Sequence, residues 1–136
     1  MIALMFCVRK YPDSTMEDFR NYWWNTHGPY VAKRAAALNI RDYVQLPRLD
    51  LPGLESTAEA RGTLPAYDGV AMVTWDSLDA LKATFTSKEA KKSGRELIED
   101  ERRFVDFSRS TIFFTEAKPV VQNGVRVITA ASGERR

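Results

Sequence analysis

The 136-residue sequence predicts an α+β fold in which four strands and two helical regions follow one another as βαββαβ. Three observations carry this. Apolar or alternating segments of strand length stand at 2–8, 41–46, 70–75 and 111–117. Stretches with helical spacing, opening near positions 14 and 77, separate the first strand from the second and the third from the fourth. Turn or capping residues punctuate the junctions. This order is the ferredoxin-like arrangement, a four-stranded antiparallel sheet with its helices on one face.

Each element has its own justification. Ile2 to Val8 is continuously apolar, as in a strand buried on both faces, and Arg9 to Asp13 ends it with charge and Pro12. Ser14 and Glu17 have capping-box spacing, with Asp13 as an alternative cap, so a helix opens here. Met16, Phe19, Trp23 and His27 share one face of it. Gly28-Pro29 is expected to break this helix, and Pro29 to start a second piece running to about Ala37. Arg41 to Leu46 is the second strand, with Tyr43 and Gln45 on one face. The stretch from Pro47 to Ala66 holds three prolines and two glycines and reads as a long loop with a short helix near Leu54 to Ala60. Tyr67-Asp68-Gly69 is a turn before the third strand, Val70 to Trp75. Asp76 or Ser77 caps a helix over Leu78 to Phe85, and Ser87 caps another reaching about Phe104. Thr111 to Ala117 is the fourth strand. Beyond the domain, taken as 1–118, the tail 119–136 carries Asn123-Gly124 between Val120–Gln122 and Val125–Ile128, the pattern of a tight hairpin. Ser132 to Arg136 is expected to be disordered.

Composition narrows the function. A net charge of +2 gives no reason to expect nucleic acid or an acidic membrane as partner. One cysteine excludes an intrachain disulfide, and one cysteine with one histidine cannot build a Cys/His zinc site. The N-terminal apolar run lacks a positive flank and is too short to span a bilayer, so no membrane association and a cytoplasmic location are expected. No glycine-rich phosphate loop and no metal-ligand spacing are present, and no cofactor is expected. The two helical regions cover only one side of the sheet. The other side would expose a large apolar patch, and a second copy stacked sheet to sheet would bury it. A homodimer through the sheet face is therefore expected.

His27 is the only histidine and the only side chain whose ordinary pKa lies near neutrality. Beside Phe19 and Trp23 it is either a neutral general base at an apolar pocket or a polar cap for a broken helix. Trp23 and Trp24 point in different directions, so one belongs to core or pocket wall and the other to the surface or an interface. Tyr43 and Gln45 suit polar contacts to substrate, Tyr43 by donating to a developing enolate oxygen, although a half-buried strand tyrosine fits equally. Tyr67 and Asp68 border the long loop, where Asp68 also reads as a turn former. Phe104 and Phe107 reach toward the pocket, and Asp106 is a candidate to orient His27. The charges of Glu99 to Arg109 otherwise read as a solvated helix end, and Cys7 as packing.

These residues resemble the EthD-like family of the dimeric α/β-barrel superfamily. The resemblance runs through Arg9-Lys10, Met16 to Phe19, Tyr22-Trp23 and His27-Gly28-Pro29. It continues in Arg61-Gly62, Tyr67 to Ala71, Trp75 to Leu78, Ser87 to Ala90 and Glu99 to Asp106, covering about 2–117. It implies a dimeric α/β barrel whose HGP segment lines a pocket between helix and sheet. It implies no single reaction, because the superfamily holds cofactor-free monooxygenases, isomerases, cyclases, dehydratases, decarboxylases and haem-binding enzymes. A lone base in an aromatic pocket best suits proton abstraction beside a carbonyl, with loss of water, cyclisation or a double-bond shift. The expected substrate is a hydrophobic small molecule, a polyketide-derived aromatic or a lactone. The alternatives are a cofactor-free monooxygenase of a phenol or anthrone, a non-catalytic ligand-binding dimer and, last, haem binding through His27.

Overall fold

The computed structural model describes residues 1–128. The expected disorder of Ser132 to Arg136 falls outside the described residues. Four strands, β1 (Ile2–Val8), β2 (Asp42–Pro47), β3 (Gly69–Trp75) and β4 (Thr111–Glu116), form one antiparallel sheet in the order β2-β3-β1-β4. The helices are α1 (Met16–Tyr22), α2 (Gly28–Arg34), α3 (Ser56–Glu59), α4 (Leu78–Lys82) and α5 (Lys88–Glu101). The architecture is the ferredoxin-like α+β fold that the element order predicts.

Strand alternation divides the sheet into two surfaces. Phe6, Val8 and Ala71 face the helices and meet Phe19, Trp23, Phe104 and Val105 in the core. On the opposite surface the register aligns Val44, Met72, Met5 and Phe113 in one row across all four strands. Val44, Leu46 and Phe113 are exposed on that face.

Several boundaries differ from the sequence reading. Ser14 does not cap α1: its amide closes a turn onto the Tyr11 carbonyl (3.0 Å), and Thr15 Oγ1 accepts from the Asp18 amide instead. α5 stops at Glu101 rather than Phe104, because Phe104 N–H turns back to the Glu101 carbonyl in a tighter loop. α3 is shorter than expected, and α4 passes into a 3₁₀ turn over Ala83–Phe85. The larger correction concerns Gly28-Pro29. The chain does not break there. It runs from α1 through a π-helical segment, Trp23–His27, directly into α2, with Gly28 itself helical at φ −54°. The Gly28 N–H reaches the carbonyl of Trp23, five residues back, so the extra residue is absorbed by a wider turn. Pro29 then follows in the first turn of α2.

In the tail, β5 (Val121–Gln122) and β6 (Val125–Arg126) pair around Asn123 and Gly124, whose φ of 53° and 74° are those of the expected tight turn.

Candidate active site

A cavity of about 210 Å³ lies between the helices and the sheet. Its wall is apolar: Leu4, Phe6, Val31, Val73, Trp75, Leu97 and Phe104 contribute, along with Trp23. Among the described residues, three that line the cavity carry a titratable side chain, His27, Tyr43 and Glu101, and no lysine or arginine lines it. Three separate elements deliver these groups: the π-helical segment, β2 and the last residue of α5.

His27 is 3% exposed and packs its ring against Phe104 at 5.0 Å. Its Nδ1 lies 2.7 Å from Asp100 Oδ2, and the Tyr22 hydroxyl donates to Asp100 Oδ1 at 2.6 Å. With both carboxylate oxygens accepting, the ring proton sits on Nδ1, and Nε2 keeps the lone pair available to a ligand. Burial pulls the His27 pKa below its ordinary 6.5, against the opposing pull of the Asp100 hydrogen bond and charge. The imidazole is therefore neutral at pH 7. Tyr22 is itself pushed up to about 12 by burial and by its bond to Asp100, so its proton stays in place.

Tyr43, which lines the cavity, accepts from Gln45 Nε2 at 3.1 Å, which leaves its own O–H as a donor. Burial raises its pKa, outweighing the donors Gln45 and Trp23, and the charge of Glu101 acts in the same direction. Gln45 also donates to the Trp23 carbonyl at 2.8 Å, the same carbonyl that receives the Gly28 amide. One side chain of β2 thus fixes both the phenol and the π-turn that sets His27.

With this geometry in place, the comparison with known families is direct. The model of the EthD domain matches residues 11–108. The chain belongs to the EthD family. Solved structures share the fold at low identity. An ethyl tert-butyl ether D (EthD) family protein of Bacillus halodurans C-125 is 18% identical at a TM-score of 0.56, over 87% of this chain and 100% of its own. A dimeric ferredoxin-like protein of unknown function from Bacteroides fragilis NCTC 9343 is 14% identical at 0.53, over 85% of this chain and 95% of its own. HapK from Hahella chejuensis is 9% identical at 0.51, over 90% and 100%. No curated protein matches the chain.

The EthD domain gathers only some of the residues singled out from the sequence. His27, Tyr43, Trp23 and Phe104 line the cavity, while Gln45 stands behind Tyr43. Phe19 is wholly core, stacked on Trp23 at 5.5 Å, and Phe107 packs on Phe6 at 6.0 Å; neither lines the cavity. Tyr67 and Asp68 lie away from it. The Arg9 guanidinium sits 4.2 Å over the Tyr67 ring, and Asp68 accepts from the Lys10 amide and pairs with Arg48 at 3.1 Å, pinning the long loop to the end of β1. Trp23 is 2% and Trp24 71% exposed, which settles which tryptophan points inward.

Asp106 does not orient His27. It is bound by Ser108 (2.6 Å) and Arg109 (3.3 Å) in the turn after α5, and the orienting carboxylate is Asp100. Asp100 and Glu101 were concealed in a charged run that reads as solvated surface. Their phase is the signal that finds them. Ala90, Ser93, Leu97, Glu101 and Phe104 recur at helical spacing along one face, so the acids at 100 and 101 sit where apolar residues are due.

Proposed function

We propose that this EthD-family chain is a cofactor-independent lyase or isomerase in which His27 Nε2 removes a proton beside the carbonyl of a neutral, hydrophobic substrate. The observation that carries this reading is the Tyr22–Asp100–His27 hydrogen-bonded chain, its Asp100 and His27 buried, ending at an apolar cavity. A neutral imidazole accepts the proton, and the Asp100 carboxylate stabilises the imidazolium that forms. The Tyr43 hydroxyl donates to the enolate oxygen in water-poor surroundings, where such a bond is strongest. Without a cationic wall residue among the described residues, the cavity favours neutral groups over a phosphate or carboxylate. It exceeds the roughly 150 Å³ of an apolar cavity that takes up benzene, so one substituted ring or two fused rings is the natural scale.

The test uses 2-tetralone, a two-ring ketone with acidic α-hydrogens, in deuterated buffer. Wild-type protein is expected to accelerate deuterium uptake at the α-carbon, and His27→Ala to abolish the acceleration. Equal uptake with the two proteins overturns the assignment of His27. Oxygen consumption during turnover would instead favour the monooxygenase alternative, since proton transfer with elimination or isomerisation uses none.

The working unit we propose is a homodimer joined through the open sheet face. The uncovered row Val44–Met72–Met5–Phe113 supports it, as do solved relatives from Bacteroides fragilis NCTC 9343 and Thermobifida fusca YX that are described as dimeric.

A further inference from the structure

We propose that Glu101, in its protonated form, joins Tyr43 as the second donor of an oxyanion hole that holds the substrate's carbonyl oxygen. This rests on the proton-abstraction reading of His27 and adds to it where the carbonyl lies and which form of Glu101 works.

Placement comes first. Glu101 ends α5 with its side chain at the cavity wall, half-buried, and among the described residues its carboxyl makes no hydrogen bond and no ion pair. An ionised carboxylate left without a partner against an apolar wall is costly, and the group escapes that cost by keeping its proton. The charged and titratable groups around it reinforce this. Asp100 precedes it on the same helix with its carboxylate committed to His27 and Tyr22. Tyr43 faces the cavity from β2, and His27 from the π-helical segment, held neutral by burial. The last turn of α5 adds the negative end of the helix dipole. Burial, then the Asp100 charge, push Glu101 up to about 7. A carboxyl here is a neutral donor below about pH 7.

Its neighbour decides its role. The phenol of Tyr43 lines the same cavity and is raised in part by the charge of Glu101. Gln45 already occupies one lone pair of the Tyr43 oxygen, leaving its hydrogen to point elsewhere. Two neutral O–H donors in one apolar cavity, beside a separate neutral base, match what an enolate requires. Charge develops on the oxygen as His27 takes the proton, and both hydrogen bonds strengthen as it does so. A protonated carboxylic acid beside a tyrosine serves this purpose in ketosteroid isomerase. The inference excludes carboxylate substrates and selects neutral ketones, enones or lactones.

The probe is 2-naphthol, whose ionised oxygen on two fused rings has the shape and charge of the enolate of 2-tetralone. Its binding is followed by titration calorimetry, and its ionisation state by absorbance. Wild type is expected to bind it as the anion, with apparent affinity rising with pH while Glu101 keeps its proton and levelling off above about pH 7 as Glu101 loses it. Glu101→Gln keeps a neutral N–H donor and is expected to bind with an affinity that goes on rising above pH 7. Glu101→Leu removes the donor without leaving a buried polar group, and is expected to bind roughly tenfold more weakly at pH 6. Wild-type affinity in Glu101→Leu, or the same levelling-off above pH 7 in Glu101→Gln, overturns the proposal, as does failure of the wild type to bind. Intact 2-naphthol behaviour without deuterium exchange into 2-tetralone would sink the base and leave the hole standing.

Discussion

His27 does its chemistry through what holds it. Asp100 and Tyr22 fix which nitrogen is protonated, and Asp100 becomes the counter-charge once the ring accepts a second proton. Asp100→Asn keeps the shape but removes the charge, and should slow α-deuteration by about 10²–10⁴-fold. Because the chain has one histidine, ¹⁵N spectra of the imidazole will report the altered tautomer without assignment work. Tyr22→Phe leaves the carboxylate and removes one bond to it, so stability should drop by about 1–3 kcal/mol, read from the urea midpoint. Proton linkage gives a further test, since two groups act in opposition. The folded-state pKa of His27 lies below 6.5, so its stabilising contribution is lost as pH falls through that folded value. The folded-state pKa of Glu101 is raised from 4.5 to about 7, so its contribution is full below 4.5 and lost as pH rises toward 7. Between about pH 5 and 6.5 the slopes oppose. Glu101→Gln should expose a loss of stability toward acid that the wild type masks, and His27→Gln the reverse slope; unchanged denaturation midpoints across this window in both variants would refute the linkage. Sequence made His27 conspicuous by rarity, whereas Asp100 was hidden by ordinariness, since acidic residues near a helix end usually face water.

At the scale of elements, the strands were legible because alternation and β-branching are local. The junction at Gly28-Pro29 was not, because its geometry is decided from a distance. A Gly-Pro pair after a helix signals a stop only if nothing accommodates the next turn. Here the Trp23 carbonyl takes both the Gly28 amide and a donor from Gln45, which lies on a different element and 22 residues further along the chain. No pattern within α1 encodes that bond. The same indole anchors the junction to the sheet. A Cβ added at Gly69 would stand 2.7 Å from Trp23 Cζ3 and 2.9 Å from the Leu46 carbonyl oxygen. Neither neighbour can yield cheaply: one is a buried ring, the other a backbone group of β2 beside its pairing with β3. Gly69→Ala should therefore cost about 1–3 kcal/mol by overpacking. It should also shift the emission of a tryptophan that packs beside the cavity and weaken 2-naphthol binding. A variant with wild-type denaturation and emission would mean that the β2–β3 pairing at Gly69 is looser than this packing requires.

For the whole molecule, the question is what covers the second face of the sheet. The helices occupy one surface only, and the cross-strand row Val44–Met72–Met5–Phe113 carries no charge from edge to edge. Phe113 is 50% exposed at the β4 end of that row. Apolar strips of this kind are poorly tolerated by monomers and are the usual centre of a two-fold interface, where the same patch meets its own copy. A stable pair buries about 1,200–2,000 Å² in all, a scale suited to the face of a four-stranded sheet. Charge placed at the middle of such an interface must be desolvated twice, once in each copy, while on a free monomer it stays hydrated. Met72→Glu and Phe113→Glu should therefore convert a dimer to monomer in sedimentation at micromolar protein, with Met72→Glu the more severe because it lies on an inner strand. Far-ultraviolet circular dichroism should be retained, since both side chains face away from the core that holds the helices. A wild-type chain sedimenting as a monomer would overturn the dimer; a dimer indifferent to both substitutions would move the interface to another surface.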